Sequence, residues 1–332
     1  MTGPPLRGAG SITGSTRLAL WVLRGALALL AAWLVVRLLG LESGWPLVAL
    51  LAFTPYACLV AVALLAACLG LRRWPEAAVA AVVTLVFAAV LVPRGVPSQP
   101  TGPIPGGVAL DVLTTNVHLG DADAETVVEL VRDGEVDLLS VQELTDAEAE
   151  RLRAAGIDEL LPEQHLRPTP EGSSGAGLYA RFPLRPRAEV PGGISRMVRA
   201  LVRVPGAAPV DVVAVHAFPP NHLTTSEWQE GLEALPRAEP DPPTQLLAGD
   251  FNATLDHEEF RDIVDSGYVD AGASQGLGLK PTWSSTGIEA LPVTIDHVLA
   301  EDEVHVAAVE ISEVPATDHR AVLARLVLPP RE

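Results

Sequence analysis

Lysine is almost absent: Lys280 is the single one in 332 residues. Cysteine is nearly as scarce, with only Cys58 and Cys68, both inside an apolar run. On a helix these two stand about 15 Å apart, too far for a disulfide. Beyond residue 100 there is no cysteine, so no thiolate zinc centre and no disulfide framework are expected there; an oxidising exterior is compatible but not required. Positive charge as a whole is short, 23 Lys and Arg against 41 Asp and Glu. Seven of the basic residues and two of the acidic ones lie in 1–100, which leaves 16 against 39 beyond it, a net of −23. A surface this acidic is a poor partner for a nucleic-acid backbone, whose binding rests on Lys and Arg displacing counterions. Acidity also serves solubility, so it names no substrate. No internal repeat of fixed period is present.

Three apolar runs fill the first hundred residues: Leu18–Leu39, Leu47–Leu71 and Ala77–Val92, the last reaching spanning length over Trp74–Pro93. About 20 apolar residues cross the hydrocarbon core, so three transmembrane helices are expected, and a signal peptide would show one short run. Arg24 is costly in mid-bilayer unless it snorkels or faces a neighbouring helix, or the register shifts toward the C-terminus. Arg7 and Arg17 precede the first run and Arg72 and Arg73 follow the second. These predict a cytoplasmic N-terminus with everything after Pro93 outside. The chain divides on this reading into an anchor over 1–93, a Pro/Gly-rich linker over 94–107 and an outer domain over 108–332. The linker reads as a semi-rigid extended tether.

The outer domain alternates short apolar strands with helices. Strands are predicted over Val108–Val117, Val136–Leu144, Gly175–Phe182, Ala200–Val204, Val210–His216, Thr294–Leu299, Val304–Ile311 and Ala321–Leu328, with another ending at Leu246–Gly249. Helices are predicted over Glu125–Arg132, Thr145–Ala155, Thr225–Leu235 and His257–Asp265. Thr145 with Glu148 fits a capping box. This mixture suggests an α/β sandwich around a mostly antiparallel or mixed core. The stretch LLAGDFNATLDH (246–257) organises it: a buried strand runs into Gly249, where the backbone is expected to turn. Asp250 and Asn252 then share one face, a pair suited to a hard metal ion and a phosphate.

Six strands carry polar groups at or beside their C-terminal ends or in the following loop: Asn116; Glu143; His216; Asp250 with Asn252; Asp296 with His297; Asp318 with His319. Singly each has a dull reading, as a cap, a turn former or a core histidine. Asp296 inside TIDHVL resists it, because an unpaired buried carboxylate is expensive. Six coincidences on one edge point to one site.

The stretches TTNVH, SVQEL, VVAVHAFPP, LLAGDFNAT, TIDHVL and ATDHRAV, in that order over 108–328, resemble the endonuclease/exonuclease/phosphatase family of DNase I-like proteins. The resemblance implies a four-layer α/β sandwich and a Mg²⁺-dependent hydrolase of phosphoric esters or anhydrides, with Mn²⁺ as a substitute. It implies that Glu143 with Asn116 forms the main metal site and that Asp318 is a metal or outer ligand. His319 would be base or phosphate contact, partnered by Asp296. Asp250 would orient the attacking water, Asn252 would bind the phosphoryl oxygen, and His216 would contact the phosphate or protonate the leaving group. His118 and His297 have no family role and read as structural. Oxygen donors suit Mg²⁺, and two imidazoles can serve as base and acid near neutral pH.

The membrane layout resembles the actinobacterial three-helix branch that includes VanJ-type teicoplanin-resistance proteins. That resemblance implies an extracytoplasmic phosphatase acting on an undecaprenyl pyrophosphate-type lipid carrier, linked to cell-wall recycling, with membrane and lipid phosphate as partners and nucleic acid disfavoured. A phospholipase C- or sphingomyelinase-like phosphodiesterase, a nuclease on the outer face and a non-catalytic membrane sensor or scaffold are the alternatives. A serine hydrolase is a further rival, since GASQG (272–276) matches G-x-S-x-G with Ser274, Asp296 and His319 in order; the short acidic stretch before it and the proline after it fail the elbow context. Lys280, Arg196 and Arg199 are candidates for extra phosphate contacts, against a reading as solvated surface charge.

Overall fold

Period-two alternation decides which side chains face inward. In β1 (Val108–Asn116) Leu110 and Val112 enter the central core while Leu113 faces the other way. In β8 (Thr244–Asp250) Leu246 and Ala248 enter it while Leu247 faces out. Continuing the alternation puts Asn116 and Asp250 on the inner face at the strand ends. The same count places His216 at the end of β7 (Val210–His216) on that face, after Val210, Val212 and Ala214.

The computed structural model describes residues 14–99, 105–191, 197–239, 243–284 and 291–331. Two six-stranded mixed sheets face each other. The first runs β11 (His305–Glu313), β12 (Arg320–Leu328), β1, β2 (Leu138–Gln142), β4 (Ala176–Ala180), β3 (Glu163–Arg167). The second runs β5 (Leu184–Pro186), β6 (Arg199–Val202), β7, β8, β10 (Asp296–Glu301), β9 (Tyr268–Asp270). Among the described residues only the strand pairs β1–β2 and β7–β8 are parallel; the remaining neighbours are antiparallel. Helices α5 (Ala124–Asp133) and α6 (Asp146–Ala154) cover the first sheet through Val127, Val131 and Leu152. The second is covered by α8 (Thr225–Glu233) and α9 (Glu258–Val264) through Trp228, Leu232 and Phe260. Short helices α7 (Ile157–Leu160) and α10 (Ala271–Ser274) complete the helix–sheet–sheet–helix sandwich. Fully burying a side chain such as Phe260 contributes about 1.5–3 kcal/mol.

Several expectations are corrected in detail. Gly249 does not turn the chain: it sits within β8, where an added Cβ would meet the Val215 carbonyl oxygen at 1.9 Å. Close approach of β7, not backbone freedom, requires glycine there. The Thr145 cap forms, with Glu148 N donating to its Oγ1 at 3.1 Å. The reciprocal half of the box does not, because the Glu148 carboxylate turns to Arg151 instead. Strands β3, β5 and β9 escaped the sequence pattern, two of them being three residues long.

Three helices pack beside the sandwich: α1 (Gly14–Leu39), α3 (Thr54–Gly70) and α4 (Trp74–Leu91), meeting through Leu30, Leu34, Ala61 and Phe87. Two of them, over Arg17–Leu39 and Trp74–Gly95, are long and apolar enough to cross a membrane; Thr54–Gly70 is shorter. The expected single run over 47–71 is broken into α2 (Leu47–Leu51) and α3, with Pro55 in the first turn of α3. Proline lacks the N–H that a continuous helix would use and restricts the residue before it. Arg24 faces a neighbouring helix and donates to Glu76 at 2.7 Å, so no shifted register is needed.

The helical part is docked on the sandwich rather than tethered to it. Arg37, from the last turn of α1, and Arg94, from a 3₁₀ turn after α4, both bond Asp256 and the Leu255 carbonyl. Tyr56 donates to the Pro292 carbonyl at 2.7 Å, and Val48 of α2 packs in the same core cluster as Trp228. The stretch read as a free linker begins bound: Ser98 N donates to the Ser274 carbonyl, and Gln99 Oε1 accepts from Val306 N. Residues 100–104 of it lie outside the described residues.

Candidate active site

Strand pairing brings the polar ends together. Asp250 stands opposite His216 in the parallel β7–β8 pair and opposite Asp296 in the antiparallel β8–β10 pair. The sequence placed the six groups at or beside strand C-terminal ends or in the following loop. Asp296 instead opens β10, while His319 lies in the loop after β11 and immediately precedes β12. An antiparallel strand starts where its neighbour ends, so both still reach the same rim.

Across the gap between the sheets, the Asn116 amide nitrogen donates to Asp250 Oδ2 at 3.0 Å and to Glu143 Oε1 at 3.2 Å. Its Oδ1 accepts from His118 N, so Asn116 bridges the two carboxylates rather than turning an oxygen toward Glu143. Glu143 also accepts from Leu119 N at 2.7 Å and lies 3.6 Å from His216 Nε2. His319 Nδ1 sits 3.0 Å from Asp296 Oδ2, leaving Nε2 toward Asp250 at 3.7 Å and Asp318 at 3.9 Å. Asn252 N donates to Asp250 Oδ1 at 2.8 Å, while its Nδ2 reaches the Ala217 carbonyl at 2.9 Å. Glu143 and Asn252, with His118 and Leu119, hold positive φ without being glycine. Such strained backbone gathers at functional sites.

The charges do not balance within the protein. Glu143, Asp250, Asp296 and Asp318 surround His216 and His319, and among the described residues none of the four pairs with Arg or Lys. Burial pushes Asp250 up to about 7, with Asp296 adding to the rise and His319 opposing it. Burial would lower His319, but Asp296 and Asp250 outweigh it and lift the imidazole to about 10. Burial lowers His216. Asp250, Asp296 and His319 each place a ligand atom within 4.8 Å of the others, a spacing that could hold a metal ion. Glu143 and Asp318 add oxygen donors at the same rim. This surplus of buried anionic oxygen fits a hard divalent cation.

Sequence reasoning missed the supports. Thr282 Oγ1 accepts from the amides of Ile295 and Asp296. Thr317 Oγ1 bonds the Asn116 carbonyl and the His319 amide. Trp283 Nε1 donates to Asp318 at 2.9 Å. None carries a sequence signal, since single hydroxyls and indoles are common everywhere. His118, read as structural, stands at the rim 3.0 Å from Asp318. His297 is buried on Asp270 at 2.6 Å, away from the site. Arg199 is tied to Asp211 by two bonds and exposed Lys280 to the Ile311 carbonyl; Arg196 lies outside the described residues. Ser274 is buried and donates to the Ala271 carbonyl, with no partner at His319.

Solved structures share the fold. A truncated TDP2 from Caenorhabditis elegans matches with TM-score 0.51 at 14% identity, covering 66% of this chain and 98% of that one. An endonuclease/exonuclease/phosphatase from Beutenbergia cavernae matches with TM-score 0.51 at 22% identity, covering 67% and 72%. TDP2 from D. rerio, complexed with single strand DNA product, matches with TM-score 0.51 at 14% identity, covering 66% and 98%. No curated protein matches the sequence. The model of the Endonuclease/Exonuclease/phosphatase family matches residues 113–319, across every group just described, and the chain belongs to that family.

Proposed function

We propose that the protein is a divalent-metal-dependent hydrolase of phosphoric esters or anhydrides, held at a membrane surface and acting on a lipid-linked pyrophosphate. The observation that carries the reading is the meeting of Glu143, Asn116, His216, Asp250, Asn252, Asp296 and His319 at one rim with more carboxylate than the protein neutralises. Family members are hydrolases of phosphoester bonds that use divalent metals.

Glu143 is the main ligand on this reading, with Asp318 and Asp250 as further oxygen donors and Asn116 holding Glu143 in place. Mg²⁺ or Mn²⁺ bound there supplies charge neutralisation at the phosphoryl oxygens. The chain's own groups do the rest. Asp296 fixes the His319 ring through Nδ1, so that Nε2 faces the cleft, where it can hold or pass a proton. Asp250, held by Asn116 and Asn252, orients the water. The Asn252 amide, whose longer bond runs to Asp250 at 3.3 Å, can turn that N–H to a phosphoryl oxygen, and His216 is placed for the leaving group.

Membrane attachment is supported by the helices' outer faces. Leu18, Trp21, Leu29, Val82 and Leu85 are each more than 60% exposed, an apolar surface that water does not tolerate at this size. The sandwich sits at the Arg37, Tyr56 and Arg94 ends, opposite the start of α1. Three passes would therefore put the N-terminus and the active site on opposite sides, with a cytoplasmic N-terminus and an outer catalytic part. A C-terminal reporter active only in the cytoplasm would refute that orientation. The three-part division, with an anchor over 1–93 and a catalytic part over 108–332, belongs to the same proposal, as does the kinship with the VanJ-type branch and a role in carrier recycling and glycopeptide resistance.

A nuclease is the second reading, favoured by the D. rerio TDP2 complex with single strand DNA product. The scarcity of lysine and the net acidity weigh against it. A panel with Mg²⁺ comparing undecaprenyl pyrophosphate, sphingomyelin and DNA separates them. Phosphate release from the first alone is expected; turnover of DNA alone would overturn the lipid reading.

A further inference from the structure

Beside the active site, sharing Asn252 with it, lies a cavity whose walls come from both parts of the molecule. Ala49, Ala52 and Phe53, at the α2–α3 break, form one wall; Pro220, Val293 and Ile295 of the sandwich form the other. The cavity is about 210 Å³. Asn252 and Trp283 also line it, and both are bonded to the catalytic carboxylates, Asn252 to Asp250 and Trp283 to Asp318. The cavity thus abuts the active-site rim at Asn252 and Trp283.

We propose that this cavity receives the part of an isoprenoid or alkyl chain beyond its first five carbons, the phosphate being handled at the rim past Asn252. The inference rests on the phosphohydrolase reading and deepens it by assigning chain-length specificity to named residues outside the chemistry. Charge settles the occupant: no Arg or Lys is among the described lining residues, so a second backbone phosphate of a nucleic acid has nothing to grip there, whereas alkyl carbon matches alanine, proline, valine and isoleucine walls. The walls are held in register. His257 Nε2 lies 3.0 Å from the Val48 carbonyl, and Tyr56 bonds the Pro292 carbonyl. The Arg37–Asp256–Arg94 cluster closes the same interface. The helix break at 52–53 serves the cavity, since an unbroken helix would not present Ala52 and Phe53 beside Asn252.

The test uses the full chain in detergent with Mg²⁺, comparing farnesyl and isopentenyl pyrophosphate. The unmodified protein should show a KM for the C15 substrate at least tenfold below that for the C5 one. Ala52→Trp, which fills the cavity, should raise the farnesyl KM about tenfold while leaving isopentenyl turnover within twofold; Ala49→Trp serves as a second filling variant should the first not fold. Equal kinetics for both chain lengths in the unmodified protein, or equal losses on both in the variants, would overturn the proposal while leaving a phosphohydrolase. If neither compound is hydrolysed, the phosphohydrolase reading falls instead, and the cavity is read by displacement of a dansyl-labelled farnesyl monophosphate. Binding weakened tenfold in Ala52→Trp supports the cavity; equal binding refutes it.

Discussion

Asp250 and Asp256 stand six residues apart in one stretch of chain, are equally buried, and live in opposite electrostatic worlds. Burial alone would raise Asp256, but hydrogen bonds and charge from Arg94 and Arg37 hold it below the usual carboxylate range. Asp250 has no such cation and is pushed up to about 7. The first cluster is complete as it stands and joins the helices to the sandwich. The second is left anionic, so its missing charge must come from outside: a proton on His319, or a metal. A buried carboxylate with its own arginines is architecture; one without them is a demand for a cation.

Four experiments can break or sharpen that contrast. The largest effect is expected on the open cluster: His319→Ala should lower phosphate release about 10²–10⁴-fold, the usual worth of a positioned proton carrier. Turnover within threefold of the unmodified protein would remove His319 from the chemistry.

The closed cluster should report in stability instead. Asp256→Ala strands two buried guanidinium groups and should cost about 3–5 kcal/mol, read as a lowered denaturation midpoint of the detergent-solubilised chain. An unchanged midpoint would mean that the docking is not held there.

The third concerns pH. Asp250 and His319 both have folded pKa values above their unfolded ones of about 3.9 and 6.5. Each therefore contributes stability that is present below its unfolded pKa and lost as pH rises through its folded pKa. The chelated protein should lose stability as pH rises from 4 to 10, and saturating Mg²⁺ should flatten the curve. Stability rising over that window would contradict the assignment.

The smallest effect belongs to an exposed charge outside both clusters: Lys280→Ala should leave turnover within twofold and stability within about 0.5 kcal/mol. A large fall in kcat/KM would restore it as a phosphate contact.

The contrast also explains what could be read from the sequence. Asn116, Glu143, His216, Asp250, Asp296 and His319 were legible because each interrupts or ends an apolar strand, and the expense of burying such groups makes them conspicuous. The sandwich followed from the same alternation. Asp256 was illegible. Its partners Arg37 and Arg94 lie 219 and 162 residues away, and nothing local distinguishes a clasp from a turn. For the same reason 94–99 read as a tether, since its bonds to Ser274 and Val306 are tertiary. Direction was also hidden: pattern finds a strand end but not whether the strand enters or leaves there, so Asp296 was placed on the right rim for the wrong end of its strand, whereas His319 was placed correctly in the loop before the last strand. The break at 52–53 was masked by unbroken hydropathy, although Pro55 marked it.

The most direct test of the central claim is a Mn²⁺ titration of the metal-depleted full chain by electron paramagnetic resonance, beside the Glu143→Gln variant. One tightly held ion per chain is expected, lost or weakened at least tenfold by Glu143→Gln. No tight binding by the unmodified protein, or undiminished binding by the variant, would contradict it.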